Sequence, residues 1–270
     1  MTDNRSRIAP AEIERFLKHA LALADEARKN ILAAQRSGFS VKRKPDKSFV
    51  TSVDVAVEQR LREMIGAQFP EHGILGEELS AVNADAPFQW ILDPVDGTED
   101  FAHGIPNFGV ILGLHYQGTP LVGVIDHPLL DLRVHAAYGL GAYRNGERIR
   151  LTDLAPEEID GTERITLCAR ANFTRHGDDG HIFDAIVRAH PNHRIYRTCL
   201  AHTLAVTGAV DAMVEYGDRI WDLAASQILV EEAGGRYRCV REWDIPDVGK
   251  VYGAVFGKPT LVDRIAERFF

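Results

Sequence analysis

An apolar run, Trp90-Ile91-Leu92, ends in Asp93-Pro94-Val95-Asp96-Gly97-Thr98. No other stretch constrains the fold as tightly. Two carboxylates three residues apart repel each other, and each is costly to desolvate beside a buried strand. Pro94 fixes one backbone angle, and Gly97 permits a conformation that other residues resist. The pair therefore belongs in a rigid turn at a strand's carboxyl end, where α/β clefts bind ligands. There both carboxylates can converge with the Val95 carbonyl between them. Such an all-oxygen site suits hard Mg²⁺ rather than zinc. Asp-Pro and Asp-Gly are also common turn formers, so the dipeptides alone fit surface aspartates as well.

Two further stretches end in acids. "ILGEE", residues 74 to 78, runs an apolar strand into Glu77 and Glu78, which a solvated strand end also explains. "IWDLAASQILVEEAGG", residues 220 to 235, puts Asp222 in the first turn of a helix, where a dipole-facing carboxylate is equally at home. Motifs for other chemistries are missing: there is no HExxH, no GxSxG and no Walker glycine loop. His190 and His193, in "HPNH", look like loop residues.

The pattern predicts a helix over 10–37 with Ile13, Phe16, Leu17, Ala20, Ala24, Ala27, Ile31 and Leu32 on one face and Gly38 as its stop. A polar loop, "SVKRKPDKS", follows, then a helix over roughly 53–68 that Thr51 or Ser52 can cap. Next come short strands, "HGILGEE", "FQWILD", "NFGVILGLHY", "PLVGVIDH" and "LRVHAAY", and a turn-rich "GLGAYRNG". Helices followed by consecutive strands suggest a largely antiparallel, helix-covered sheet. From about 153, strands and helices alternate, as in βαβ units. The expected division is 1–152, carrying most of the acids, and 153–270, supplying Asp222, with one cleft between the halves.

A length of 270 residues suffices for one large α/β domain or two packed ones. The net charge of −8 disfavours nucleic acid as a general partner. The longest uncharged window, residues 104–125, contains two prolines and a Gly118-Thr119-Pro120 turn; two strands fit it better than a membrane span. Cys168, Cys199 and Cys239 are odd in number and widely spaced, and they read as reduced, buried thiols of a cytoplasmic protein.

Taken in order, Gly76-Glu77-Glu78, "DPVDGTEDF" and "WDLAASQILVEEAGG" resemble the inositol monophosphatase family, whose pattern is a GEE strand end, a DPxDGTxxF turn and a WDxAA helix running into EAGG. "KPDKSFVTSVD", residues 44–54, matches the family's Lys and VTxxD element. The resemblance spans nearly the whole chain. It implies an α/β fold of αβαβα layers, a homodimer, Mg²⁺-dependent phosphatase activity and inhibition by Li⁺. Carried over, Glu77, Asp93 and the Val95 carbonyl hold a first Mg²⁺, and Asp93, Asp96 and Asp222 a second. Glu77 and Thr98 hold and help deprotonate the attacking water. Asp54 joins the catalytic candidates beside a third, loosely held Mg²⁺, with Lys44 and Glu78 around them. A helix-start acid and a loop cation account for Asp54 and Lys44 equally well. The N–H groups of Gly97 and Thr98 cradle phosphate oxygens.

Glu215, seven residues before Asp222, stands where inositol-type members place an acid that accepts from a ring hydroxyl; a strand-end surface acid is the plainer alternative. "YRTCLAHTLAVTG" departs from the inositol-type Gly-Ser/Thr, and its Cys199 matches the Gly-Asp-Cys of the histidinol-phosphatase branch. Glu99 and Asp100 replace a small polar pair. The expected reaction is hydrolysis of a small polyol phosphate, with inositol 1-phosphate as first candidate. Histidinol phosphate, another sugar phosphate or a nucleotide, and a non-catalytic protein-binding role are the alternatives.

Overall fold

The computed structural model describes residues 4–44, 48–175, 177–246 and 248–270. The chain opens with α1 (Pro10–Ser37), the hairpin β1 (Val41–Arg43) and β2 (Phe49–Thr51), and α2 (Ser52–Gln68). Then come β3 (Gly73–Gly76), β4 (Phe88–Asp96), α3 (Thr98–Ala102), β5 (Gly109–Tyr116), β6 (Thr119–His127), β7 (Leu132–Ala137), β8 (Gly141–Arg144) and β9 (Glu147–Arg148). The remainder is β10 (Ile165–Leu167), α4 (Arg170–Arg175), α5 (Gly180–Ala189), β11 (His193–Ile195), α6 (Cys199–Val206), β12 (Ala212–Asp218), α7 (Ile220–Leu223), α8 (Ser226–Glu232), β13 (Arg236–Ile245), β14 (Gly249–Gly257) and α9 (Pro259–Ala266).

Among the described residues, β3 to β9 form a seven-stranded sheet in chain order, and a second sheet runs β11-β10-β12-β14-β13. Strand periodicity explains the layering, because successive side chains point to opposite faces. On β4, Trp90 and Leu92 pack with α1 and α2 in one core, while Ile91 joins a second core with α6 and α8. On β12, Met213 faces that second core, and Ala212 and Val214 face a third with α5 and α9. Helices, sheet, helices, sheet, helices: these are the five αβαβα layers.

The long helix behaves as its spacing predicts. Ile13, Phe16, Ala20, Ala24, Ala27 and Ile31 are buried, and Gly38 ends the helix at φ +87°. The uncharged window becomes the β5–β6 hairpin, turned by Gln117 and Gly118 at φ +50° and +79°. No helix of the described residues is long and apolar enough to cross a membrane.

Several expectations need correction. The loop "SVKRKPDKS" contains strand β1, and its residues 45–47 lie outside the described set. "GLGAYRNG" contributes β8 to the sheet. The second sheet is mixed: β10 pairs in parallel with β11 and β12, but β14 is antiparallel to β12 and β13. Strict βαβ alternation fails because β13 and β14 form a hairpin. The helix expected from Trp221 onward breaks after Leu223. Cys239 is exposed rather than buried, because it lies on the edge strand β13. His193 lies on β11, and His190 is buried with Nδ1 against Glu163.

Candidate active site

β4 does not stop at Asp93. It pairs Asp93 with Ile111 and Asp96 with Gly109, so three steps on β4 meet two on β5. The extra residue is a bulge, and Pro94, which lacks an N–H to offer the ladder, fits it. Gly97 then turns at φ +84°, and its Cβ position lies 2.7 Å from the Asn107 carbonyl, leaving no room for a side chain. The bulge and turn aim Asp93 and Asp96 at the same space. Asp93 Oδ1 accepts from Val95 N–H at 3.1 Å, and Asp96 Oδ2 accepts from Cys199 N–H at 2.5 Å.

Glu77 arrives by register. β3 runs parallel to β4 with Gly76 beside Leu92, so Glu77 and Asp93 leave the sheet at the same end. Asp222 arrives from α7, whose start it caps by accepting Arg219 N–H at 2.7 Å. Oxygen atoms of Asp93, Asp96 and Asp222 lie within 4.8 Å of one another. Glu77 lies outside that trio and is paired instead with Lys44, whose Nζ donates to Glu77 Oε1 at 2.8 Å and to Glu78 Oε1 at 2.7 Å. The Val95 carbonyl accepts from Thr98 Oγ1 at 2.9 Å, and that hydroxyl lies equally 2.9 Å from Asp54 Oδ1. Asp54 is fully buried and completes a capping box with Thr51 at the start of α2. It thus serves the helix and Thr98 together.

The electrostatics are lopsided. Burial pushes Asp93 far above the usual carboxylate range, and the charges of Glu77, Asp96 and Asp222 push it further. Asp222 is raised in the same way, by burial and then by Asp218, Glu77 and Asp96. Burial also raises Asp96, against the pull of the Cys199 hydrogen bonds, and raises Glu77 against Lys44. Glu78 is pushed up to about 7, mainly by burial. With an effective dielectric of about 20, two carboxylates at this spacing repel by roughly 3.5 kcal/mol. Three such pairs approach the about 5–15 kcal/mol that holds a domain folded. Full ionisation of the trio is therefore opposed unless a cation is bound, and its all-oxygen donors fit a hard divalent one.

A polar cleft opens beside the trio, lined by Asp96, Asp222, Glu215, Asp218, His202 and Asn172, with Arg175 and Arg197 exposed along it. Glu215 is buried rather than a surface acid, and burial pushes it up to about 8. Asp218, His202 and Asn172 carry no motif that would have marked them in the sequence. Glu58 was equally hidden: fully buried, it accepts Glu78 N–H at 2.8 Å and Leu79 N–H at 3.1 Å, bracing the loop that carries Glu77. The departures from the family pattern also find a place. Asp100 accepts from Asn107 Nδ2 at 2.6 Å, and Thr198 donates to Asn107 Oδ1 at 2.7 Å, beside Gly97.

Five alternating layers and an acid cluster on a polar cleft, Asp93 buried and Asp96 and Asp222 half-buried, describe an enzyme whose site could hold a cation. Residues 12–267 match the inositol monophosphatase family. A histidinol-phosphatase of Mycobacterium tuberculosis is 36% identical over 225 residues, covering 80% of this chain and 84% of that one. A fructose-1,6-bisphosphatase/inositol-1-monophosphatase of Aquifex aeolicus is 30% identical over 75% of this chain and 76% of its own. The solved inositol monophosphatase from Anabaena superposes with a TM-score of 0.78 at 29% identity, over 95% of this chain and 96% of that one. The chain belongs to the inositol monophosphatase family and is a phosphoric monoester hydrolase.

Proposed function

We propose that the chain hydrolyses histidinol phosphate, ahead of inositol 1-phosphate, with Mg²⁺ bound by Glu77, Asp93, the Val95 carbonyl, Asp96 and Asp222. The ions supply charge neutralisation and a water of lowered pKa. The protein does the rest. Thr98, held by Asp54, and Glu77 orient the attacking water and take up its proton. The Gly97 and Thr98 N–H groups meet the phosphate oxygens. Lys44 keeps Glu77 and Glu78 together until a cation competes for them.

One observation carries the choice of substrate. Two divalent ions account for Glu77, Asp93, Asp96 and Asp222, but the cleft holds two more acids, the buried Glu215 and the half-buried Asp218, beside the exposed Arg175 and Arg197. The Asn172 Oδ1 atom is buried with no hydrogen-bond partner among the described residues. A neutral polyol offers donors but no charge. The ammonium of an amino alcohol offers both. The similarity to the M. tuberculosis histidinol-phosphatase points the same way. Inositol 1-phosphate stays as the second reading, because Glu215 lines the cleft where it can accept from a ring hydroxyl.

The test is kcat/KM on both esters, with Mg²⁺ and with chelator. Histidinol phosphate is expected to be preferred at least tenfold, with activity lost on chelation. A tenfold preference for inositol 1-phosphate would overturn the substrate assignment. Inhibition by Li⁺, a homodimer in solution and a cytoplasmic setting extend the proposal. Inhibition curves against Mg²⁺ and light scattering test the first two.

A further inference from the structure

The acid chemistry needs no imidazole, yet one is buried at the base of the cleft. His202, on α6, is 3% exposed and has both ring nitrogens engaged. Nδ1 lies 2.8 Å from Ser226 Oγ, and Nε2 lies 3.1 Å from Glu215 Oε1. The ring meets Phe256 edge-on, with centroids 5.2 Å apart at 82°. Packing and two hydrogen bonds thus fix the ring plane. Burial lowers the His202 pKa, so the ring is neutral, with one donor and one acceptor nitrogen. Each ring nitrogen therefore has its own partner, Ser226 on Nδ1 and Glu215 on Nε2, one nitrogen donating and the other accepting.

We infer that His202 is a positioning residue: it holds one oxygen of Glu215 through a Ser226–His202–Glu215 chain, so that the carboxylate presents a fixed acceptor to the substrate group beyond the ester. The three members come from three elements around the cleft. Ser226 opens α8, four residues after Asp222. His202 lies three residues after Cys199, whose N–H holds Asp96. Glu215 sits on β12. The chain therefore ties the acceptor to the same helices that place the acid trio. Preorganised acceptors gain affinity because the substrate does not have to order them. This inference rests on the proposed role of Glu215 in the cleft.

The test uses His202→Phe, which keeps bulk and the edge contact but removes both hydrogen bonds, and His202→Gln, which restores a donor. Steady-state kinetics are measured with Mg²⁺ on histidinol phosphate, inositol 1-phosphate and p-nitrophenyl phosphate, which lacks any group for Glu215. For His202→Phe we expect KM on the preferred natural ester to rise about tenfold, more than kcat falls. Its preference over p-nitrophenyl phosphate should drop by the same factor, and His202→Gln should recover most of it. If His202→Phe does not fold, Ser226→Ala takes its place, with an expected drop of about threefold. An equal loss on all three esters, or no change in the preference, overturns the positioning role. A wild-type preference for inositol 1-phosphate overturns only the substrate assignment, and the KM shift is then read on that ester.

Discussion

At the scale of single residues, the central fact is that Asp96 and Asp222 are held by backbone donors before any ion arrives. Cys199 N–H holds one and Arg219 N–H the other. Each keeps an oxygen aimed at the cluster, so under the proposed metal binding removing its charge removes a placed ligand. Asp96→Asn is expected to weaken Mg²⁺ binding, seen by calorimetry, and to lower kcat/KM by on the order of 10²–10³ or more while the circular dichroism stays native. Thr98 works differently. Its hydroxyl bridges Asp54 and the Val95 carbonyl, so Thr98→Val should lower kcat by on the order of 10²-fold and leave Mg²⁺ affinity largely intact. A Thr98→Val enzyme with normal kcat would remove the hydroxyl from the mechanism.

At the scale of elements, the site depends on where strands and helices break. Ala224 lies between α7 and α8, and its carbonyl accepts from His115 Nε2 at 2.9 Å. That approach requires Gly113 on β5, whose Cβ position lies 2.6 Å from the same carbonyl. Backbone cannot swing aside as a side chain does. Gly113→Ala should therefore cost about 1–3 kcal/mol in urea denaturation and also reduce kcat/KM, because α7 carries Asp222. Loss of stability with full activity would show that α7 holds its place without this contact.

The whole molecule carries the cost of the acid cluster as a pH dependence. In the unfolded chain the carboxylates titrate near 4. In the folded protein Glu78 rises to about 7 and Glu215 to about 8, both mainly by burial, and Asp93, Asp218 and Asp222 are raised well above the usual carboxylate range for the same first reason. Between those limits the folded state binds more protons than the unfolded state. The stability tied to the protonated acids is thus complete below about pH 4 and is lost as pH rises through about 8. For chelated protein, the thermal midpoint contributed by these groups should fall across that window. Mg²⁺ at about a hundred times its Kd should add about 2.7 kcal/mol at the high end and flatten the slope. A chelated protein whose midpoint is flat from pH 5 to 8 would contradict the picture of uncompensated acids.

Local pattern was enough to locate α1, the paired strands β5 and β6 and the turn at Gly97, because each depends on neighbours in the chain: helical spacing, apolar runs bounded by a glycine turn, a proline three residues before a glycine; that β4 runs on through Asp96 with a bulge, and that Thr119 and Pro120 belong to β6, took the sheet to show. It also singled out Glu77, Asp93, Asp96, Asp222 and Asp54, whose motifs survive in the linear order. Other features had no local signature. Glu58 reads as an ordinary helix acid, yet it braces Glu78 across 20 residues. His202 and Ser226 sit 24 residues apart and meet only because α6 and α8 share the middle layer. The antiparallel β13–β14 pair and the exposure of Cys239 followed from sheet order. What the sequence determined by itself was which groups would be costly to bury. Which partners offset that cost was decided by tertiary structure, because hydrogen bonds and charge pairs act over a few ångströms of space, whatever the distance along the chain.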